Sequence, residues 1–313
     1  MAMTDVSVRV IERTDEADAV FALVLAAADG GELPAWTPGA HIDVAAGAAG
    51  LRQYSLCGDP AQRDRWRIAI LHEPNGRGGS AHLFRTALPG TTLSVSLPRN
   101  NFELSEAPEY TFVAGGIGIT PILPMIAAAQ RAGARWTLHY GARSRTHMAF
   151  AEALTARYPA VRLVPQDESG LLPVAEIVAE RPGATVYCCG PEPLLAAVEA
   201  EGQRQRVTVR TERFVPRQLE PAGADQAFEI QLAQTGRTLR VAADRSIVDV
   251  LESAGVAVIT SCREGTCGSC ETPVLDGEVD HRDSLLTAEE RDSGKTMMLC
   301  VSRARSEVLV LDL

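Results

Sequence analysis

Four cysteines near the carboxyl end restrict the fold of this chain more than any other feature. Cys262, Cys267 and Cys270 follow a C-x4-C-x2-C spacing, and Cys300 comes after a further 29 residues. This is the ligand spacing of a plant-type [2Fe–2S] cluster, in which one tight loop supplies three thiolates and a distant segment supplies the fourth. The alternatives are a zinc site, which usually pairs two short cysteine hooks, and disulfides, which suit small secreted scaffolds. The spacing favours the cluster.

Composition limits the partners of the chain. A length of 313 residues predicts two or three domains, and the formal net charge of −10 argues against binding to nucleic acid or to anionic membranes. The amino end shows no apolar signal-peptide segment, and the uncharged stretch 111–130 is divided by glycines and prolines. These features predict a cytoplasmic protein that does not cross a membrane.

The chain divides into three blocks of different pattern. Short alternating runs separated by turns predict an antiparallel β-barrel over 1–105. Strand and helix patterns alternate over 106–220, which predicts an α/β domain with a parallel sheet and a nucleotide site at its strand ends. The polar segment 217–225 contains proline and glycine and is typical of a linker. Residues 226–313 predict a small α+β domain that holds the cysteines.

Two motifs in the first block are suited to a phosphorylated ring cofactor. Arg52-Gln53-Tyr54-Ser55 ends a predicted strand, and arginine can pair with a phosphate while tyrosine lies against a flat ring. Gly78-Gly79-Ser80 precedes a helical run, where backbone N–H groups form an anion site. The alternatives are an ordinary surface Arg–Tyr pair and a glycine loop with a serine cap.

The second block contains two turns that follow strands and open helices. In the first, Gly115, Gly116 and Gly118 permit close approach of a pyrophosphate, and Thr120 lies at the start of the helix. The second is Cys189-Gly190-Pro191, where the alternative for the cysteine is a buried apolar thiol. Both turns lie at strand carboxyl ends, where open sheets bind ligands.

Two arginines, Arg143 and Arg145, follow the second strand of the predicted parallel sheet. They are candidates for the adenosine end of a nucleotide, and the pair could hold a 2′-phosphate. The alternative is that both are solvated surface charges.

Taken in order along the whole chain, these motifs resemble the phthalate dioxygenase reductase family, which includes the vanillate O-demethylase reductases. The resemblance implies a flavin-binding β-barrel domain, a central NAD(H) domain and a carboxyl-terminal ferredoxin-like (β-grasp) domain. It also implies that the flavin is FMN. The matching FMN contacts are Arg52, Tyr54, Ser55, Ile70, Leu71, His72, Gly79, Ser80 and Thr120. By the same resemblance, Phe214 covers the flavin ring.

The resemblance also implies an activity. Electrons pass from NAD(P)H through FMN and the [2Fe–2S] cluster to a terminal Rieske-type oxygenase, which oxidises or demethylates an aromatic or other small compound. NADH is the expected donor, with NADPH as the alternative. Two other functions remain open: a reductase for another acceptor such as a cytochrome P450, and a redox sensor that uses the flavin and the cluster.

Overall fold

The computed structural model describes residues 5–217 and 225–313. It divides into two compact units, one that ends at Glu212 and one that begins at Arg213. Most of the predicted linker, residues 218–224, lies outside the described residues.

The first unit begins with the predicted antiparallel barrel. Alternation along the first strand buries Val8 and Val10 and exposes Arg9, as expected for a strand with one face on a core. The sheet order is β4-β3-β6-β1-β2-β5, with β7 paired to β3, and an antiparallel bridge between Leu56 and Ile68 joins the two ends of the sheet. The strands are β1 Asp5–Ala17, β2 Val20–Ala27, β3 Ala40–Ala45, β4 Leu51–Ser55, β5 Trp66–Leu71, β6 Thr92–Ser96 and β7 Arg99–Asn100, and helix α1 is Gly79–Thr86.

A five-stranded parallel sheet completes this unit, in the order β10-β9-β8-β11-β12. The central strand β8 is buried along almost its whole length, because helices cover both faces of such a sheet. The strands are β8 Glu109–Gly115, β9 Arg135–Ala142, β10 Val161–Pro165, β11 Thr185–Cys189 and β12 Val209–Glu212. The helices are α2 Ile119–Arg131, α3 Ala151–Arg157, α4 Gln166–Ser169, α5 Val174–Ala179 and α6 Glu192–Gln205.

Helix α2 begins where the glycine turn predicts, with Thr120 at its start. It starts at Ile119, directly after a short 3-10 turn over Gly116–Gly118 and three residues before the apolar run that begins at Ile122. Pro121 does not delay the start, since the first turn of a helix has no internal partner for a backbone N–H. Thr120 therefore lies inside the first turn and donates its hydroxyl to the carbonyl of Ile117 at 3.0 Å.

The barrel and the parallel sheet share one hydrophobic core. Val20, Ala22 and Ala69 on the outer face of the barrel pack in the same cluster as Ile119 and Ile122 of α2. The end of β5 also lies against the Gly116–Gly118 turn. The predicted flavin strands and the predicted nucleotide turn are thus brought together by apolar burial.

The second unit is the predicted α+β domain. Its main sheet has the order β14-β13-β19-β15-β17, and β13 buries Phe228, Ile230 and Leu232 on one face. The strands are β13 Phe228–Leu232, β14 Thr238–Val241, β15 Glu271–Asp276, β16 Val279–Asp280, β17 Thr296–Met298, β18 Arg303–Ala304 and β19 Val308–Leu311, and the helices are α7 Ile247–Ser253 and α8 Ala288–Ser293. Among the described residues, no helix combines the length and apolar character needed to cross a bilayer.

A buried arginine, Arg303, links segments of the second unit through hydrogen bonds to their backbone carbonyls. The Arg303 guanidinium donates to the carbonyls of Arg245, Gln226 and Ala242 at 2.8, 3.0 and 3.0 Å, and it lies 5.1 Å from the ring centroid of Phe228. These carbonyls come from two segments, residue 226 and the turn 242–245, so one side chain joins the two through backbone acceptors.

We expect Arg303→Met to lower the free energy of unfolding of this unit by about 2–4 kcal/mol, because it removes three charge-assisted hydrogen bonds to backbone carbonyls. Denaturant titration that follows the visible absorption of the cysteine-bound group measures the change. Arg305→Met is the matched control, since that side chain is 66% exposed. Equal losses in both variants would contradict this role for Arg303.

Candidate functional site

The loop between α7 and β15 carries Cys262, Cys267 and Cys270, and Cys300 joins them from the segment after β17. Cys267 and Cys270 are buried, whereas Cys262 and Cys300 are half-buried. Hydrogen bonds from Cys267 and Cys300 lower the pKa of Cys262, and a bond from Cys300 lowers the pKa of Cys270. The pKa values of Cys267 and Cys300 are raised by their bonds to Cys262. These mutual effects place the four thiols close to one another.

Backbone N–H groups of the same loop point at the sulfurs. The N–H of Glu264 donates to Cys262 Sγ at 3.3 Å, and the N–H of Ser269 donates to Cys267 Sγ at 3.4 Å. Such bonds tune the reduction potential of an iron–sulfur centre. Four converging thiols with backbone donors fit a [2Fe–2S] cluster.

Three residues of the loop have positive φ, namely Arg263, Gly265 and Gly268. Gly265 has φ +71°, and a Cβ there would lie 2.7 Å from Val301 and 3.0 Å from the Cα of Asp283, so a side chain has no room. Arg263 has φ +55°, which is unusual for a residue with a side chain. Its guanidinium pairs with Glu252 and with Asp249 of α7, so the helix holds this loop in place.

In the barrel, Arg52 packs directly on the first turn of α1. Gly78 has φ +84° and precedes Gly79, where a Cβ would overlap the Arg52 side chain, with Nε 2.7 Å away. The guanidinium donates to the carbonyls of Leu51 and Arg77 at 2.8 and 3.2 Å. A fixed guanidinium beside the N–H groups of a helix start is the arrangement that binds phosphate.

Tyr54 and Ser55 follow Arg52 on β4. Burial raises the pKa of the Tyr54 phenol to about 12, and the Arg52 guanidinium opposes part of the shift. The Ser55 hydroxyl and the Gln53 amide nitrogen are buried and have no hydrogen-bond partner in the part of the chain that the structure describes. Because buried polar atoms are normally paired, these two atoms fit the polar edge of a bound ring. The role of Gln53 was missed at the sequence level, although it lies inside the motif.

The remaining flavin candidates of the barrel lie nearby along the chain. Ile70 is buried and Leu71 half-buried at the end of β5. His72 stacks on Phe84, with ring centroids 4.1 Å apart and 4° between the planes. The Ser80 hydroxyl accepts a hydrogen bond from the N–H of Glu73 at 3.1 Å, which ties the loop after β5 to α1.

The two predicted nucleotide turns touch each other through their backbones. A Cβ on Gly118 would overlap the carbonyl of Cys189, and a Cβ on Gly190 would lie 3.0 Å from the Cα of Gly115. A Cβ on Gly115 would also lie 2.6 Å from the ring of Pro191. Glycine is therefore required where the carboxyl ends of β8 and β11 meet. The two turns together form one edge of the predicted nucleotide cleft.

Cys189 lies beside a carboxyl group that sequence reasoning missed. Its Sγ is 3.9 Å from Glu212 Oε2, at the end of the neighbouring strand β12. Burial raises the pKa of Glu212 to about 8 and raises the pKa of Cys189 well above its ordinary value. Both groups are therefore held neutral near pH 7 at the predicted nucleotide turn.

The two candidate adenosine arginines have different surroundings. Arg143 is exposed, and its carbonyl accepts the N–H of Asp167 at 3.2 Å. Arg145 forms a bidentate ion pair with Glu168. Its Nε lies 2.8 Å from Oε1 and 3.1 Å from Oε2, and its Nη2 lies 2.9 Å from Oε2. Glu168 follows β10 and was not singled out from the sequence, since its partner lies 23 residues away.

Phe214 belongs to the second compact unit and is 40% exposed. Its predicted place over the flavin ring stays a prediction.

Comparison with known proteins agrees with this arrangement. Residues 230–305 match the family described as the 2Fe-2S iron-sulfur cluster binding domain. The chain is 42% identical over 315 residues to the phenoxybenzoate dioxygenase subunit beta of Ectopseudomonas oleovorans, covering 99% of this chain and 98% of that protein.

Two solved structures extend the comparison. The chain is 36% identical to phthalate dioxygenase reductase, described as a modular structure for electron transfer from pyridine nucleotides to [2Fe–2S], with a TM-score of 0.71 over 99% of this chain and 98% of the other. It is 41% identical, with a TM-score of 0.92, to part of an intact type IV self-sufficient cytochrome P450 monooxygenase, and it spans 41% of that longer chain. The chain therefore belongs to the phthalate dioxygenase reductase family, whose members are NAD(P)H-dependent flavin and iron–sulfur oxidoreductases.

Proposed function

We propose that this chain is the reductase component of a Rieske-type oxygenase system, which passes electrons from NADH through FMN and a [2Fe–2S] cluster to a terminal oxygenase. The observation that carries this proposal is the presence, in one chain, of four clustered thiols and of an Arg52–Gly79 phosphate cradle that adjoins the nucleotide turn. A flavin accepts a hydride and releases electrons singly, which links a two-electron donor to a one-electron cluster.

The residues divide by task. The Arg52 guanidinium and the N–H groups at Gly79 and Ser80 hold the FMN phosphate, while Ser55 and Gln53 meet the polar edge of the ring. Tyr54, Ile70, Leu71, His72 and Thr120 line the flavin. Gly115, Gly116, Gly118, Cys189, Gly190 and Pro191 receive the nicotinamide nucleotide, with Arg143 toward its adenosine end. Phe214 covers the flavin, and Cys262, Cys267, Cys270 and Cys300 bind the cluster.

The neutral state of Cys189 and Glu212 suits a hydride-transfer site. Neither group adds a negative charge beside the nicotinamide, and burial keeps both uncharged near pH 7. The backbone contact between Gly118 and Cys189 fixes the distance between the two turns, which sets where a nucleotide can lie.

We also propose limits for the three domains and a cellular location for the protein. The limits are 1–105 for FMN, 106–220 for NAD(P)H and 226–313 for the cluster. We place the protein in the cytoplasm, because the four cysteines that we assign as cluster ligands must stay reduced, and thiols stay reduced there. The net charge of −10 supports a protein partner rather than nucleic acid.

A cytochrome P450 is the second candidate acceptor. One observation favours it: almost the whole chain superposes on part of a self-sufficient P450 monooxygenase. The electron path inside the chain is the same in both cases. Mixing the reductase with a Rieske oxygenase or with a P450, and comparing NADH-driven turnover at equal acceptor concentrations, separates the two. Faster turnover with the P450 would overturn the first proposal.

We expect Cys267→Ala to remove the electron paramagnetic resonance signal of a reduced [2Fe–2S] centre and to stop electron delivery to the oxygenase. Bleaching of flavin absorbance by NADH should persist, because the barrel and the nucleotide turns are untouched. Cys57→Ala, at a cysteine of the other unit, is the control and should retain the signal. Zinc without iron in the purified wild-type protein would end the cluster assignment.

We expect denatured protein to release FMN, and Arg52→Ala to weaken FMN binding by about 1.5–3 kcal/mol, the range for a charge-assisted hydrogen bond. Equilibrium dialysis with fluorescence detection measures the affinity. Arg85→Ala, at an exposed arginine of α1, should bind FMN like the wild type. Chromatography that identifies FAD as the released flavin would contradict the FMN assignment.

We expect NADH to be preferred over NADPH. Glu168 already forms an ion pair with Arg145, and its carboxylate repels the 2′-phosphate of NADPH. Glu168→Gln should raise kcat/KM for NADPH by about two- to fivefold, as expected when an exposed ion pair is released. Steady-state rates with both nucleotides test this. The gain should vanish in the double variant Glu168→Gln/Arg145→Gln. A gain that persists there would show that Arg145 does not contact the phosphate.

A further inference from the structure

A cavity of about 350 Å³ lies between the outer wall of the barrel and helices α2 and α3. Val24 lines it from the barrel, and Leu123, Leu154 and Tyr158 line it from the other side. Both walls belong to the compact unit that ends at Glu212. None of the proposed flavin, nucleotide or cluster residues lines this cavity, so the proposed electron path leaves it unexplained.

Polar contacts hold the two walls at a fixed separation. The Arg67 guanidinium binds Glu16 at 2.5 Å on the barrel and lies 4.7 Å from the ring centroid of Phe150 on the opposite wall. A longer ion pair of 3.4 Å joins Arg131 of α2 to Asp59 of the barrel unit. These contacts bridge the two walls, and the groove between them is open to solvent, since Arg65, Arg131 and Arg157 at its edge are exposed.

The charges around the cavity do not balance. Four arginines line it, and three of them have a carboxylate partner: Arg65 with Asp64, Arg67 with Glu16, and Arg131 with Asp59. Arg157 has no carboxylate within 4.0 Å among the described residues, and its guanidinium lies 5.2 Å from the ring centroid of Tyr158. Arg157 is itself exposed, so this positive charge lies at the solvent-facing edge of the groove, next to Tyr158.

We propose that this cavity binds an organic monoanion with an apolar body, such as an aromatic carboxylate. Its carboxylate pairs with Arg157, and its body packs on Leu123, Leu154 and Tyr158. The volume lies in the range of small-molecule sites, which combine apolar walls with a few polar groups that fix orientation. The planar guanidinium favours a carboxylate because it can donate two parallel hydrogen bonds.

Isothermal titration of the full cofactor-loaded chain with benzoate tests the proposal. Benzamide is the matched probe, because it has the same shape and no charge. We expect one saturable site for benzoate and binding of benzamide that is at least about tenfold weaker, since the charge-assisted bonds are lost. Absence of saturable binding up to about 10 mM, a weak-ligand range, or equal affinity for both probes, would overturn it.

Three variants locate the binding. Arg157→Gln should weaken benzoate about tenfold, whereas Arg210→Gln, the same charge change at an exposed position on β12, should not. Ala127→Phe places a ring in the cavity from α2 and should abolish binding. Unchanged affinity in Arg157→Gln, or equal losses in Arg157→Gln and Arg210→Gln, would contradict the site. Benzoate titration does not depend on electron transfer, so its outcome is independent of the proposed reductase activity.

Discussion

The first unit depends on the burial of helix α2. Ile119, Ile122, Met125 and Ile126 are almost completely inaccessible, because the helix lies between the parallel sheet and the outer face of the barrel. A helix buried on several sides has few ways to shift without opening cavities, which cost stability in proportion to their volume. Its first turn is therefore held in one position. That turn carries Thr120 and follows Gly118, so apolar packing decides where the polar parts of the site stand.

This packing explains why both nucleotide turns need glycine at the points where their backbones touch. Once α2 is fixed, the Gly116–Gly118 turn faces the carboxyl end of β11, and the carbonyl of Cys189 occupies the space that a side chain on Gly118 would take. Gly190 and Gly115 meet in the same way. The cleft edge is built from backbone on both sides, and its N–H groups remain close to any ligand that enters.

Much of this architecture follows from sequence patterns that act over short distances. The cysteine spacing predicted the iron–sulfur domain, and alternation and helical spacing predicted the barrel and the parallel sheet. Gln53, Glu168 and Glu212 were not found, because their significance depends on contacts across strands rather than on a local motif. Glu168 matters through Arg145, and Glu212 through Cys189, each 23 residues away. A charged residue is common on any surface, so only its partner shows what it does. The start of α2 was predicted from the glycine turn, which placed Thr120 in the first turn of the helix, as observed.

The closure of the barrel bears on how the chain avoids aggregation. Unpaired strand edges are templates for pairing with other chains, and a closed sheet removes them. The Leu56–Ile68 bridge joins the ends of the barrel sheet. In the parallel sheet the edges remain open at β10 and β12, and these strands carry the exposed charges of Arg162 and Arg210. Charged side chains on edge strands discourage the addition of a strand from another chain. In this unit the barrel sheet is therefore protected from such pairing by its closure, and the parallel sheet by the charges on its two edge strands.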